Sequence, residues 1–411
     1  MNRLSQTKLL FQLVTKDFLS SLLPPRETNG TPLHHDKRLD EAIEWLLRSI
    51  RATKGNGSSK GFHLLFGWLP PFPETTGYLI PTLIDYINLT GRHDLESTIE
   101  ELTNWLIQVQ LPNGAIYGGE VGRKIARDEH GKKIPYPEVF DTAMVLEGFI
   151  ASYKLLKKDT YLQAAKKAAD FLVNNQEKDG TWGKVSLDFI PHTYHSRCAW
   201  ILLEFYELVH DEVYRESARK KLDWVLTCQR ENGWFERCFF FKKRPYPITH
   251  SIAYTLEGLQ AGYQHLRDER YLHSVLKTAD KVMKIFEISR RLPAQFNPNW
   301  KEIKYFIYSF DCLTGIAQFA MIWFRLYLIM GDERYMNAAL NAIDYLACFQ
   351  DINSDIPEIR GAIKGSFPLY GRYAPIQFPN WAAKFFADAL MMRKTIISDY
   401  ENSHPQPLPK S

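Results

Sequence analysis

One short turn returns along this chain and fixes what it can fold into. It reads Lys158-Asp159-Thr160-Tyr161, His210-Asp211-Glu212-Val213-Tyr214, Arg267-Asp268-Glu269-Arg270-Tyr271 and Gly331-Asp332-Glu333-Arg334-Tyr335, with the tyrosines at intervals of 53, 57 and 64 residues. Self-similarity at a fixed spacing marks an array of equivalent supersecondary units. After each tyrosine comes a segment with apolar residues at helical spacing, such as Ala165…Ala168-Ala169…Leu172 or Ala338-Ala339…Ala342-Ile343…Leu346, which predicts an amphipathic helix. Each then closes on a Gln and a Gly-bearing loop: Gln110…Gly114, Gln176…Gly180-Thr181-Trp182, Gln229…Gly233-Trp234.

A second helix follows in each unit, apolar nearly all round, as in Cys198-Ala199-Trp200-Ile201-Leu202-Leu203 and Ile316-Ala317-Gln318-Phe319-Ala320-Met321-Ile322-Trp323-Phe324. A helix without a polar face has to be surrounded by other helices, so the second helices form an inner ring and the first an outer one. Outer helices are expected at about 39–51, 93–109, 160–175, 214–229, 271–287 and 335–349, and inner helices from near Thr75, Asp141, His195, His250, Asp311 and Asn380. Six such hairpins predict an all-α (α/α)6 toroid over 39–395, preceded by an amphipathic segment and arm (1–38) and followed by a Pro-rich tail (396–411). Strand signal is slight; period-2 runs such as Cys238-Phe239-Phe240-Phe241 fall between helices.

Composition narrows the function classes. The net charge of +4, from 51 basic and 47 acidic residues, gives no footprint for nucleic acid. Five cysteines, odd in number and without metal-type spacing, read as reduced packing residues of a cytoplasmic protein. The early apolar run Leu9-Leu10-Phe11-Gln12-Leu13-Val14 is broken by Lys16 and Asp17 and lacks the features of a signal peptide. Residues 8–19 suit packing on the protein's own flank, with weak membrane-surface contact as the alternative. Neither a metal nor a cofactor is called for.

The long connections all deliver the chain to inner-helix N-termini, so one end of the toroid is expected to be a funnel, where exposed N–H groups and helix dipoles favour anions. The helix starts there carry Glu74, Asp141, Tyr194, His195, Arg197, His250, Tyr254, Asp311, Asn380 and Trp381. Thr, Asp and Asn at such positions also cap helices, but His and Arg do not, and a buried His or Arg needs a partner. Loop aromatics Trp68, Tyr117, Trp182, Trp234, Tyr370 and Tyr373 offer faces on which sugar rings stack, or else plug the loops. Lys364 lies between glycines, and Arg123 or Arg127 suits a carboxylate.

The chain resembles the six-hairpin toroids, a superfamily with polysaccharide lyases, glycoside hydrolases and N-acylglucosamine 2-epimerase-type enzymes, and with terpene cyclases in related toroids. More narrowly, Phe72-Pro73-Glu74-Thr75-Thr76-Gly77-Tyr78, Thr249-His250-Ser251-Ile252-Ala253-Tyr254 and Phe378-Pro379-Asn380-Trp381-Ala382-Ala383-Lys384 are similar to a bacterial family associated with exopolysaccharide and O-antigen gene clusters. The Gln…Gly-x-Trp element at Gln176, Gly180 and Trp182 resembles the repeat of squalene-type cyclases, whose Asp-rich DxDD motif is missing.

These observations lead to a carbohydrate-active enzyme for an acidic oligosaccharide or polysaccharide. In the leading form His195 and His250 exchange a proton at carbon with help from Tyr194 or Tyr254, Arg197 neutralises a carboxylate, and the protein is a polysaccharide lyase or sugar epimerase. The alternatives are a glycoside hydrolase using Glu74 and Asp141 at an inverting separation, a non-catalytic glycan-binding or assembly factor, and a terpene cyclase-like toroid.

Overall fold

The computed structural model describes residues 3–22, 34–122, 126–127, 133–134, 136–305 and 308–403. Arg123, the side chain of Arg127 and residues 404–411 of the tail lie outside them, while 396–403, expected in the tail, are helical. Helix α1 (Arg3–Ser21) precedes an outer ring of α2 (His35–Ala52), α4 (Glu96–Val109), α6 (Asp159–Asn174), α8 (Glu212–Thr227), α10 (Glu269–Ser289) and α12 (Glu333–Ala347). The inner ring is α3 (Pro73–Thr90), α5 (Val139–Leu156), α7 (Ser196–Val209), α9 (Thr249–Leu266), α11 (Leu313–Met330) and α13 (Asn380–Ser403). Each inner helix packs on the next, and α13 returns to α3, so the ring closes as an (α/α)6 toroid.

The recurring turn does two jobs. Asp211, Asp268 and Asp332 are N-caps, accepting from the amides of Val213, Arg270 and Arg334 at 3.1, 3.0 and 3.0 Å, which satisfies donors a helix start leaves orphaned. The tyrosine then reaches the preceding outer helix: Tyr214 donates to Asp170 (2.7 Å), Tyr271 to Asp223 (3.0 Å) and Tyr335 to Asp280 (2.5 Å).

The Gln-to-Gly element ties four of the outer helices, α4, α6, α8 and α12, to their neighbours. Gln110 donates to the carbonyls of Gly114 and Ala164, both at 3.0 Å, and Gln176 to those of Gly180 (3.2 Å) and Ser217 (2.9 Å). Gln350, not singled out from the sequence, donates to Gly361 (2.9 Å) and back across the ring to Arg38 (3.0 Å), closing the outer seam with the same device. Gly114, Gly180 and Gly361 have φ of +87°, +85° and +82°, and a Cβ on any of them would lie within 2.5 Å of a neighbouring helix carbonyl, so glycine is required.

Inner-to-outer turns are short; outer-to-inner connections are long and gather at one end. Small strands in those connections were not expected: β1 (Gly61–His63), β2 (Gly67–Trp68), β3 (Ala126–Arg127), β4 (Lys133–Ile134), β5 (Asp311–Cys312), β6 (Ser366–Phe367) and β7 (Gln377–Pro379). β1 lies between β2 and β7, antiparallel to both. β7 feeds α13, so this sheet sets where Trp381 enters the funnel. Helix α11 is long and apolar enough to cross a membrane by composition, but 72% of it is buried inside the toroid.

Candidate active site

A cavity of about 580 Å³ opens at the N-terminal ends of the inner helices, lined by Glu74, Glu138, Asp141, Tyr194, His250, Tyr254 and Trp381 among others. Glu74 is in the first turn of α3, Asp141 in that of α5, His250 in that of α9 and Trp381 in that of α13. Tyr254 follows one turn below His250. The sequence-derived funnel thus brings seven of its residues together, Glu74, Asp141, Tyr194, His250, Tyr254, Tyr373 and Trp381, with Glu138 as an addition.

The three carboxyls form one unit. Glu138 precedes α5 as its N-cap, Oε2 accepting from the Asp141 amide at 2.8 Å. The Asp141 side chain interacts electrostatically with both Glu74 and Glu138, and because ionised carboxylates have only acceptors and repel one another, their grouping favours the protonated form. Burial, then the Glu74 and Glu138 charges, holds Asp141 well above the usual carboxylate range. Burial and the Glu138 charge push Glu74 up to about 7, and burial raises Glu138 to about 7. Desolvation outweighs the helix dipoles, which act the other way.

Glu74 and Asp141 thus line one cavity from neighbouring inner helices, α3 and α5.

His250 is fixed in one tautomer. Gln318 Nε2 donates to Glu257 Oε2 (3.3 Å), so its Oε1 accepts, and His250 Nδ1 donates to it at 2.5 Å. Nε2 is left as an acceptor. Burial lowers the His250 pKa to about 3, with Gln318 opposing and Arg197 assisting. Tyr254, whose ring centroid is 4.3 Å from that of His250, has a buried hydroxyl without a hydrogen-bond partner. Trp381 Nε1 donates to the Tyr373 hydroxyl at 2.7 Å, setting both rings against the cavity wall.

His195 is elsewhere. A 3-10 turn, Thr193–His195, leads into α7, and its tighter winding turns His195 away from the position that His250 holds in α9. The imidazole is fully buried among Phe140, Trp182, His192 and Tyr194, both ring nitrogens lack partners, and burial drives its pKa well below 6.5. Arg197 faces the opposite way. It pairs with Glu257 (2.6 Å) and Glu147 (3.1 Å) and lines a second cavity, about 670 Å³, bounded by residues farther along the inner helices.

Other expected ligand contacts turn out to be internal. Trp182 is fully buried with Nε1 donating to the Leu172 carbonyl at 2.8 Å. Trp234 packs edge-on against Trp300, Trp68 packs on Trp45 and Phe62, and Tyr370 on Tyr308. Asp311 is held by Arg291 and Tyr345, both at 2.5 Å. Asn380 donates to Ser49 (3.0 Å), and Lys364 pairs with Asp17 (2.5 Å). Tyr117 is half-exposed and bridges to Pro137 outside the cavity lining.

Sequence reasoning missed the basic rim. Lys60, 2.6 Å from Glu120, stands at the cavity wall. Beside it a smaller pocket of about 280 Å³ adds Arg244 and Arg372 and shares Phe240, Phe241, Tyr373 and Trp381 with the first. The run Phe240-Phe241-Lys242-Lys243-Arg244, aromatic then basic, was its available signal.

Comparison with known proteins bears on the fold and on part of the sequence. Residues 120–250 match the sequence model of Glycosyl Hydrolase Family 88, a stretch containing Glu138, Asp141, Tyr194 and His250 but not Glu74. A squalene–hopene cyclase of Zymomonas mobilis is 28% identical over 155 residues, 36% of this chain and 22% of the cyclase. Among solved structures, an unsaturated glucuronyl hydrolase specific for heparin superposes with TM-score 0.69 at 15% identity, covering 89% of this chain and 98% of its own. The unsaturated glucuronyl hydrolase of Bacillus sp. GL1, responsible for glycosaminoglycan degradation, gives 0.67 at 14%, covering 87% and 96%. An aspartate-to-asparagine variant of the Streptococcus agalactiae enzyme, complexed with dGlcA-GalNAc6S, gives 0.60 at 13%, covering 87% and 90%. The chain therefore has the (α/α)6 fold of the unsaturated glucuronyl hydrolases and, over residues 120–250, is similar in sequence to Glycosyl Hydrolase Family 88.

Proposed function

We propose that the protein is a glycoside hydrolase for acidic oligosaccharides, with Asp141 as the acid and Glu74 and Glu138 as its proton-sharing partners. The observation that carries this is the group of three interacting carboxyls with raised pKa values, Glu74, Glu138 and Asp141, on the wall of an aromatic-lined cavity. Such a cluster supplies one carboxylic acid that stays neutral near pH 7 beside groups ready to take up its charge, as general acid catalysis at that pH requires.

The fold shared with the unsaturated glucuronyl hydrolases, taken with this carboxyl cluster, supports a substrate class. A sugar ending in an unsaturated uronate is an enol ether. It is hydrolysed by protonation of the double bond and addition of water, which asks for one acid and an adjacent base. Oligosaccharides with an unsaturated glucuronyl terminus are therefore the proposed substrates. His250, with Nε2 as an acceptor, and Tyr254 orient the hydroxyls, Trp381 and Tyr373 take the ring face, and the Lys60, Arg244 and Arg372 rim attracts the substrate's anionic groups. The histidine-led lyase or epimerase reading gives way because His195 is sealed off and both imidazoles are held neutral far below pH 7.

The test uses purified protein and an oligosaccharide ended by unsaturated glucuronate. Loss of the ultraviolet absorbance of the conjugated uronate, with release of a new reducing end, is expected. Gain of that absorbance from a saturated polyuronate would instead identify a lyase.

A further inference from the structure

Helix α1 is attached to the toroid by one face and bare on the other. Inward, Leu9 is buried in the core and Leu10, Leu13 and Val14 pack against it. Asp17 fastens the far end: Oδ1 pairs with Lys364 at 2.5 Å and Oδ2 accepts from the Leu369 amide at 2.8 Å. Outward, Phe11, Phe18, Leu19 and Leu22 are 73%, 51%, 58% and 67% exposed. Phe11, Phe18 and Leu22 are spaced to fall on one side of the helix.

The charges on α1 follow the same division. Its single acidic residue, Asp17, is consumed inward, while Lys8 and Lys16 are exposed beside the apolar stripe. The β1–β2 hairpin continues the surface: Gly67 lies beside Gln6 of α1, and the tip carries Leu65 and Phe66, the latter 74% exposed. This hairpin belongs to the sheet whose β7 strand leads to Trp381, and the loop after Lys364 and Leu369 goes on to Tyr373. The bare surface is thus built on the loop layer that lines the cavity mouth.

We propose that α1 and the β1–β2 tip dock the protein on an anionic lipid surface, with the cavity mouth on the membrane-facing side. An apolar stripe flanked by exposed lysines complements a bilayer interface, where rings and aliphatic chains enter the headgroup region and ammonium groups meet lipid phosphates. One amphipathic helix holds only marginally, and the hairpin tip supplies a second point of attachment. The inference stands apart from the reaction, and its test requires no turnover.

The full chain is sedimented with vesicles of phosphatidylcholine alone or of phosphatidylcholine mixed with phosphatidylglycerol. Sedimentation with the anionic vesicles about ten-fold above that with neutral ones is expected, with most of the excess lost at roughly 0.5 M salt. The double variant Phe11→Ser/Phe18→Ser, and separately Lys8→Glu/Lys16→Glu, should fall to the neutral-vesicle level with unchanged helical circular dichroism. Equal sedimentation with both vesicle types, wild-type sedimentation by the folded Phe variant, or a wild-type dimer that the Phe variant dissolves would each overturn the proposal; the last would make the stripe a contact between copies.

Discussion

Burial and two neighbouring carboxyls raise the Asp141 pKa and favour its protonated form, since a further charge is costly there. Asp141→Asn, close to isosteric, should leave the fold intact and lower kcat/KM on an unsaturated-uronate substrate by about 10²–10⁴-fold. Wild-type kcat/KM should fall as pH rises above about 7, where Glu74 and Glu138 ionise and the cluster loses its shared protons. Stability carries the same sign. Glu74 titrates at about 7 in the fold against 4.5 for the ordinary group, so between those values the native state holds more protons and stability declines as pH rises. Glu74→Gln should flatten this decline, gaining on the order of 1–3 kcal/mol over wild type above pH 7, read from urea denaturation at several pH values. At this scale the sequence placed Glu74, Asp141, His250, Tyr254, Tyr194 and Trp381 through their positions at or near inner-helix starts. His195 seemed equivalent to His250 because the two are spaced like the repeat; the 3-10 turn before α7 carries no mark in the sequence. Glu138 was not singled out, since capping by glutamate is a matter of rotamer rather than of residue pattern.

Inner helices approach closely enough that several of their contacts admit only glycine. A Cβ on Gly77 of α3 would lie 2.3 Å from the Met144 carbonyl of α5, one on Gly258 of α9 2.2 Å from the Ser196 backbone of α7, and one on Gly315 of α11 2.5 Å from Thr249 of α9. Gly77→Ala should therefore cost roughly 1–3 kcal/mol or more through forced separation of α3 and α5. Because Glu74 and Asp141 ride on those two helices, kcat should fall as well; thermal melting and steady-state kinetics read the two effects separately. Helices were legible because periodicity, Asp caps and Gln-to-Gly closures all repeat. The short strands were not, since two- and three-residue pairings such as Phe62 with Phe378 depend on how distant loops meet and leave no period-2 trace. The basic rim was hidden for the same reason, as Lys60, Arg244 and Arg372 come from three separate connections.

The molecule closes on itself twice, through α13 against α3 inside and through Gln350 to the Arg38 carbonyl outside. Helix α1 is an addition to that closed body, held by Leu9 and by the buried Asp17–Lys364 pair. Asp17→Ala would leave the Lys364 ammonium buried without its carboxylate, at a cost of about 3–5 kcal/mol. Limited proteolysis should then cut α1 early while the toroid remains resistant; equal resistance of both would show that the pair does not hold the helix. The central claim, that a proton-sharing carboxyl cluster at the funnel carries the chemistry, is tested most directly by comparing wild type, Asp141→Asn and His250→Ala on one oligosaccharide ended by unsaturated glucuronate. The account predicts that wild type consumes the unsaturated uronate, that Asp141→Asn is inactive within about a thousandth of wild-type kcat/KM, and that His250→Ala retains measurable turnover with a raised KM. Near-full turnover by Asp141→Asn together with none by His250→Ala would contradict it.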